Sequence, residues 1–230
     1  IIVGVVTLTG VGFRLGFVVI QTAGDISNFF SNIWPISFFS FEDLRLFFSL
    51  VLIAISCIIM GAGIPTTATY IILVAVAAPA LAQLGIEPLV AHFFVFYYGV
   101  LADITPPVAL AAYAASGIAK SNPFKTGNTA FRLGIAKALV PFVFVYSPSL
   151  LLITGEFQTN QLIITLIGTL IGIALIGIAF SGYWFRALRK YEQIIIGIGS
   201  LFFVAPGIKS MVFGLLIILP MLFLQFLKKN

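Results

Sequence analysis

From Ile1 to Leu227 the chain returns repeatedly to apolar stretches that approach the roughly 20 residues needed to cross a bilayer as a helix. A secretory signal would account for one short stretch near the start and for none of the others. Runs such as QLIITLIGTLIGIALIGIAF (161–180) do not alternate polar and apolar positions. A membrane β-barrel requires that alternation, in segments of about 10 residues. The fold class expected is therefore all-α, a polytopic helical membrane protein. Composition agrees: 61% of residues are hydrophobic and 8% charged, with a mean hydropathy of +1.18, against about a quarter charged in soluble domains. The 12 Lys and Arg exceed the 7 Asp and Glu, which in such a chain marks cytoplasmic loops; nucleic acid is not an expected partner. Cys57 stands alone in an apolar segment, so no internal disulfide is expected and it reads as a packing residue.

Three basic clusters orient the chain: Lys120, Lys125, Arg132 and Lys137; Arg186, Arg189 and Lys190; Lys228 and Lys229. Apolar segments at about 133–153 and 161–182 separate the first two, with TGEFQTNQ between them. Segments at 193–205 and 210–227, parted by APGIK, separate the second and third. Each pair of crossings returns to the same side, so all three clusters face the cytoplasm. Counting backwards puts LGIEP (84–88) outside. Residues 46–60 and 70–84 are each about 15 residues long, roughly 22 Å as a helix and short of a hydrocarbon core of about 30 Å. They fit a hairpin that enters from outside, turns at GAGIPTTATY (61–70) and leaves again. QTAGDISNFFSN (21–32) and FEDLR (41–45) then lie outside, and residues 1–20 form a rising helix in which Arg14 snorkels or faces protein. A tight turn in water between two short spanning helices is the alternative, but no charge occurs between Arg45 and Glu87.

Irregular backbone at membrane depth leaves N–H and C=O groups that hydrocarbon cannot satisfy, so it is tolerated only inside protein or beside a wet cavity. Gly61 and Gly63 permit unusual dihedrals, Pro65 removes a donor, and Thr66, Thr67 and Thr69 add hydroxyl oxygens able to contact a small cation. A second interruption falls in HFFVFYYGVLADITPPVALAAYAASGIA (92–119), where Pro106 and Pro107 break a helix into halves joined by ADITPP. Asp103 is the only acid between Glu87 and Glu156. At membrane depth it needs a proton, a cation or a donor; capping the half-helix that begins near Pro106 is its plain alternative. Thr105 offers a hydroxyl and a carbonyl at the same point. A hairpin tip and a broken helix together are the pattern of secondary transporters, in which such features normally occur as two inverted copies. One copy is visible, and the chain opens on IIVGVVTLTG; both lead to the expectation of a longer parent chain.

The segments GAGIPTTATY, APALAQLGIEP, FYYGVLADITPPVALAAYAASGIA and KTGNTAFRLG…PFVFVYSP resemble the large membrane subunit of tripartite ATP-independent periplasmic (TRAP) transporters, most of all the fused permeases. The resemblance covers roughly residues 1–155; the tail matches only in character. It implies an elevator-type importer of organic anions such as dicarboxylates, working by symport in a bacterial or archaeal inner membrane. Its implied partners are a periplasmic substrate-binding protein, the remainder of the permease (a first half and the small-subunit helices) and membrane lipids. It implies no cofactor beyond a coupling ion, Na+ or H+. The division that follows is 1–45, an N-terminal helix and external connection; 46–118, half of a transport domain with hairpin 46–84 and broken helix 89–118; 119–155, a basic loop and transmembrane helix; and 156–230, C-terminal transmembrane helices. The implied sodium site maps onto Gly61, Gly63, Thr66, Thr105 and Pro106, and Pro65, Thr67 and Asp103 complete the binding region, with Asp103 a candidate proton carrier.

Two rival classes use the same residues. An ion channel, or a cation-coupled transporter of another family, would make the interruptions a pore or site of its own. An intramembrane enzyme would use Asp103, but no second carboxylate or nucleophile lies close by, no Ser has a His and acid arranged around it, and one His with one Cys does not build a zinc site. No enzymatic activity is expected. His92, ahead of FFVFYY, reads as interfacial aromatic anchoring rather than a proton relay. Arg132 is the basic residue best placed to meet a carboxylate.

Overall fold

A computed structural model describes residues 2–33, 40–152, 158–205 and 207–227. The described residues are almost wholly helical, as the apolar runs require. In chain order the helices are α1 (Ile2–Thr9), α2 (Val11–Ile33), α3 (Phe41–Gly61), α4 (Thr66–Gln83), α5 (Pro88–Ala102), α6 (Leu110–Ile118), α7 (Pro123–Gly134), α8 (Val140–Tyr146), α9 (Thr159–Ser181), α10 (Lys190–Val204) and α11 (Ile208–Leu227), with 3-10 turns at Ile135–Leu139 and Pro148–Leu151. The chain divides into two compact units, Ile1–Gly127 and Asn128–Asn230.

In the first unit α2 packs on α3 and α4, and α5 packs on both limbs of the α3–α4 pair. Two glycines allow α2 its approach: a Cβ at Gly12 would stand 2.6 Å from the Ala75 carbonyl oxygen, and one at Gly16 would stand 2.8 Å from Ala80 Cβ. Leu50, Leu73, Leu81, Phe94 and Val95 form the interior, each almost fully buried.

Several boundaries depart from the sequence reading. Helix α3 begins at Phe41 because Ser40 and Asp43 form a reciprocal capping box, so FEDLR is its first turn. Helix α3 has 21 residues and α4 has 18, and both are long and apolar enough to cross a membrane. The inference that neither limb spans therefore fails, and shortness gives no support to a hairpin turning inside the membrane. Residues 21–32 continue α2, in which Thr22, Ser27 and Ser31 return their hydroxyls to carbonyls four residues back. The rising helix is interrupted at Gly10, whose φ is 64°, and Arg14 is exposed. Lys125 and Arg132 lie in α7, which starts ten residues before the expected 133 and runs on through the 3-10 turn into α8. Glu156, Pro206, Lys228 and Lys229 lie outside the described residues.

In the second unit α10 packs between α9 and α11. The close approaches are again made by glycine. A Cβ at Gly172 would meet Val204 Cγ2 at 2.6 Å, one at Gly199 would meet Ile218 Cγ1 at 2.7 Å, and one at Gly214 would meet the Phe203 ring at 2.8 Å. Leu175, Ile196, Phe203 and Ile218 fill the space between. At one end of this bundle Glu192, 1% exposed, takes Nη2 of Arg186 at 2.6 Å and the Arg189 amide at 2.8 Å, and meets the amide nitrogen of Gln225 at 3.4 Å. The network ties the α9–α10 turn to the far end of α11.

Candidate functional site

The α3–α4 turn is built by its glycines and proline. Helix α3 ends at Gly61, and Gly63 takes φ 82°, a left-handed conformation that other residues adopt only with strain. Pro65 then holds the N-cap position of α4 without a side-chain cap. Thr69 is buried, and its hydroxyl donates to the Ile64 carbonyl at 3.0 Å, closing the turn from inside. Gly63, Pro65 and Thr67 are exposed; Gly61 is buried and Thr66 half-buried.

The break after α5 is equally determined. Pro106 and Pro107, joined by a cis peptide bond, supply no amide donors. The helix resumes at Leu110, behind Ala109 at φ 34°, and so later than the expected restart near Pro106. Three of the bonds that hold the irregular segment come from its α6 side. The Ala109 amide donates to the Thr105 carbonyl and the Ala111 amide to the Asp103 carbonyl, both at 3.1 Å. Tyr113 reaches back to donate its hydroxyl to the Pro107 carbonyl at 2.6 Å. Tyr113 was not visible as a participant in the sequence, because nothing in the spacing marks an aromatic six residues beyond a proline as its partner.

Turn and break meet. The Thr66 hydroxyl donates to Asp103 Oδ2 at 3.1 Å, across 37 residues of sequence. A Cβ at Gly61 would stand 3.0 Å from both Ala102 Cβ and Thr69 Cγ2, and one at Gly63 would stand 3.4 Å from Val108 Cγ1. Asp103 is thus turned to the hairpin and does not cap α6, whose N-cap has no side-chain bond. Thr105 sends its hydroxyl to the Leu101 carbonyl at 2.7 Å. Of the five mapped positions, the Gly61 carbonyl accepts from the Ile64 amide and the Thr105 carbonyl from the Ala109 amide. Among the described residues the carbonyls of Ala62, Gly63, Ile104 and Pro106 accept no hydrogen bond. Gly63 and Pro106 therefore keep open oxygens where Gly61 and Thr105 do not. No group of three His, Cys, Asp or Glu able to hold a metal occurs among the described residues; any cation here would be held by carbonyl and hydroxyl oxygens with one carboxylate.

His92 has a polar partner within the first unit. Its Nδ1 lies 2.7 Å from the Tyr70 hydroxyl, and Tyr70 also packs edge-on against Phe96. This second polar bond joins α4 to α5, one helical turn along α4 from Thr66. Arg132 is likewise engaged: its Nη2 donates to the Phe180 carbonyl at 2.9 Å, near the end of α9.

The family model described as "Tripartite ATP-independent periplasmic transporter, DctM component" matches residues 1–159, which include the whole α3–α6 region. Neither the curated proteins nor the solved structures contain a significant match.

Proposed function

The chain belongs to the tripartite ATP-independent periplasmic transporter family, as its DctM component, and from that premise we propose that it imports organic anions of the dicarboxylate type by an ion-coupled elevator movement. The family makes it a permease component of a secondary transporter, working with a periplasmic binding protein and other membrane components. In the proposed mechanism the α3–α4 pair is a hairpin whose tip lies at membrane depth, and α5 and α6 are the halves of a broken helix. Both belong to the part that moves.

The observation that supports this most is the Thr66–Asp103 bond, flanked by open carbonyls on both sides. A carbonyl left without a partner in hydrocarbon costs about 1–3 kcal/mol, so the open oxygens of Ala62, Gly63, Ile104 and Pro106, none of them on a buried residue, would be a heavy penalty at membrane depth. Water or a hard cation, which takes oxygen ligands, removes it. Sodium on the carbonyls of Gly63 and Pro106, with the Thr66 hydroxyl and the Asp103 carboxylate beside it, balances one positive charge against one negative. Proton coupling uses the same carboxylate with the charge supplied by H+. Ion binding cancels the carboxylate charge and so favours an anionic substrate beside it; in the proposal that mutual preference couples ion to substrate.

The test is uptake of labelled dicarboxylate into liposomes holding the assembled permease and its binding protein, with a sodium gradient, a proton gradient or neither. The proposal expects saturable uptake driven by one gradient and dependent on the binding protein. Saturable, binding-protein-dependent uptake that ignores both gradients would remove the ion coupling. Unsaturable flux without the binding protein would mark a channel.

A further inference from the structure

We propose that the exposed face of α10, together with the α9–α10 turn, both beyond residues 1–159, forms with Arg132 a binding site for a single anionic phospholipid. The outward face of α10 is graded along its length. Arg189 and Lys190 stand exposed at its start, Tyr191 is 46% exposed, and Ile194, Ile198 and Leu201 follow at 62%, 49% and 47%. Lys190, Ile194 and Ile198 are spaced by four, and Tyr191, Ile194 and Ile198 by three and four, so cation, aromatic and apolar groups lie along one side of the helix. From Lys190 to Leu201 the rise is roughly 16 Å, close to half of a hydrocarbon core of about 30 Å. One face of one helix thus offers an amphiphile a charged end, an interfacial ring and an apolar track one leaflet deep.

The charge at this end is real and uncompensated. Glu192 is the one acid among the described residues of this unit, and it is buried against Arg186. Its hold on the Arg189 amide at 2.8 Å fixes the start of α10 while the Arg189 side chain stays outside. Arg132, exposed and bonded to the Phe180 carbonyl, adds a third cation beside the end of α9, and Tyr183, 60% exposed, adds another interfacial ring. A soluble acidic partner would use the cations but not the apolar track. A zwitterionic lipid would use the track but gain little from three cations. An anionic phospholipid uses both.

The experiment is native mass spectrometry of the full chain, purified in mild detergent and equilibrated with equimolar phosphatidylglycerol and phosphatidylethanolamine. Wild type is expected to retain phosphatidylglycerol preferentially. A surface cation is worth roughly five-fold, so Arg189→Gln with Lys190→Gln should reduce that preference by on the order of 25-fold at low salt. The charge-conserving pair Arg189→Lys with Lys190→Arg should keep it, which separates loss of charge from misfolding. Lys209→Gln, exposed at the opposite end of the bundle, should leave it unchanged. No preference in wild type, an unchanged preference in the double Gln variant, or an equal loss in Lys209→Gln would each overturn the site. Retention of an acidic protein in place of lipid would overturn it as well.

Discussion

Gly61→Ala is the substitution that most sharply tests how the hairpin and the broken helix fit together. The added Cβ would lie 3.0 Å from Ala102 Cβ and 3.0 Å from Thr69 Cγ2. Carbon atoms prefer roughly 3.5–4.0 Å, so each contact is too short by about half an ångström. Ala102 has no rotamer with which to retreat. Thr69 can turn only by giving up its 3.0 Å bond to the Ile64 carbonyl, a loss of about 1 kcal/mol. The remaining relief is a backbone shift of α3 away from α5, and overpacking of this kind costs about 1–3 kcal/mol. For a chain of this size that lowers the thermal midpoint by on the order of 5 °C. The assay is thermal unfolding of the purified protein in detergent, followed by tryptophan fluorescence or by loss of the monodisperse peak. Gly177→Ala is the control, since a Cβ there meets nothing within 4 Å, and it should be neutral or slightly stabilising. A Gly61→Ala protein that melts with wild type would refute the close contact of α3 with α5, and with it the shared site.

Other substitutions probe the remaining polar contacts. Arg186→Met leaves the buried Glu192 carboxylate without its guanidinium and should cost about 3–5 kcal/mol, whereas Arg186→Met with Glu192→Leu should recover much of the loss; equal melting of the single and double variants would contradict this. Tyr70→Phe removes the bond to His92 and should destabilise by about 1 kcal/mol, visible as faster hydrogen exchange where α4 meets α5; unchanged exchange would show that the ring packing alone holds the helices.

How much was legible in the residues depends on whether the cause was local. Pro106 and Pro107 lack amide donors wherever they fall, so the break in the helix could be read directly, and Gly63 with Pro65 marked the hairpin turn for the same reason. The α3 boundary was also locally encoded, in Ser40 and Asp43, but an apolar count begins only where hydrophobicity does and overlooks a polar first turn. Helix α2 hides its polar half because Thr22, Ser27 and Ser31 bond within the helix, a state that composition alone reads as loop. Contacts between distant residues were not available from spacing. Thr66 and Asp103 were separately picked out by chemistry, but their pairing across 37 residues and the Tyr70–His92 bond across 22 depend on how α4 lies against α5. The Glu192 cluster was missed for a similar reason, since Gln225 reaches it only through the packing of α11 on α10.

Equilibrium cation binding to the purified full chain tests the central claim most directly, with 22Na+ retention and proton uptake in weak buffer measured on the same samples. The account predicts saturable binding of one of the two ions, abolished by Asp103→Asn and weakened by Thr66→Val. Absence of saturable binding of either ion to the wild-type protein, or binding unaltered in both variants, would contradict it.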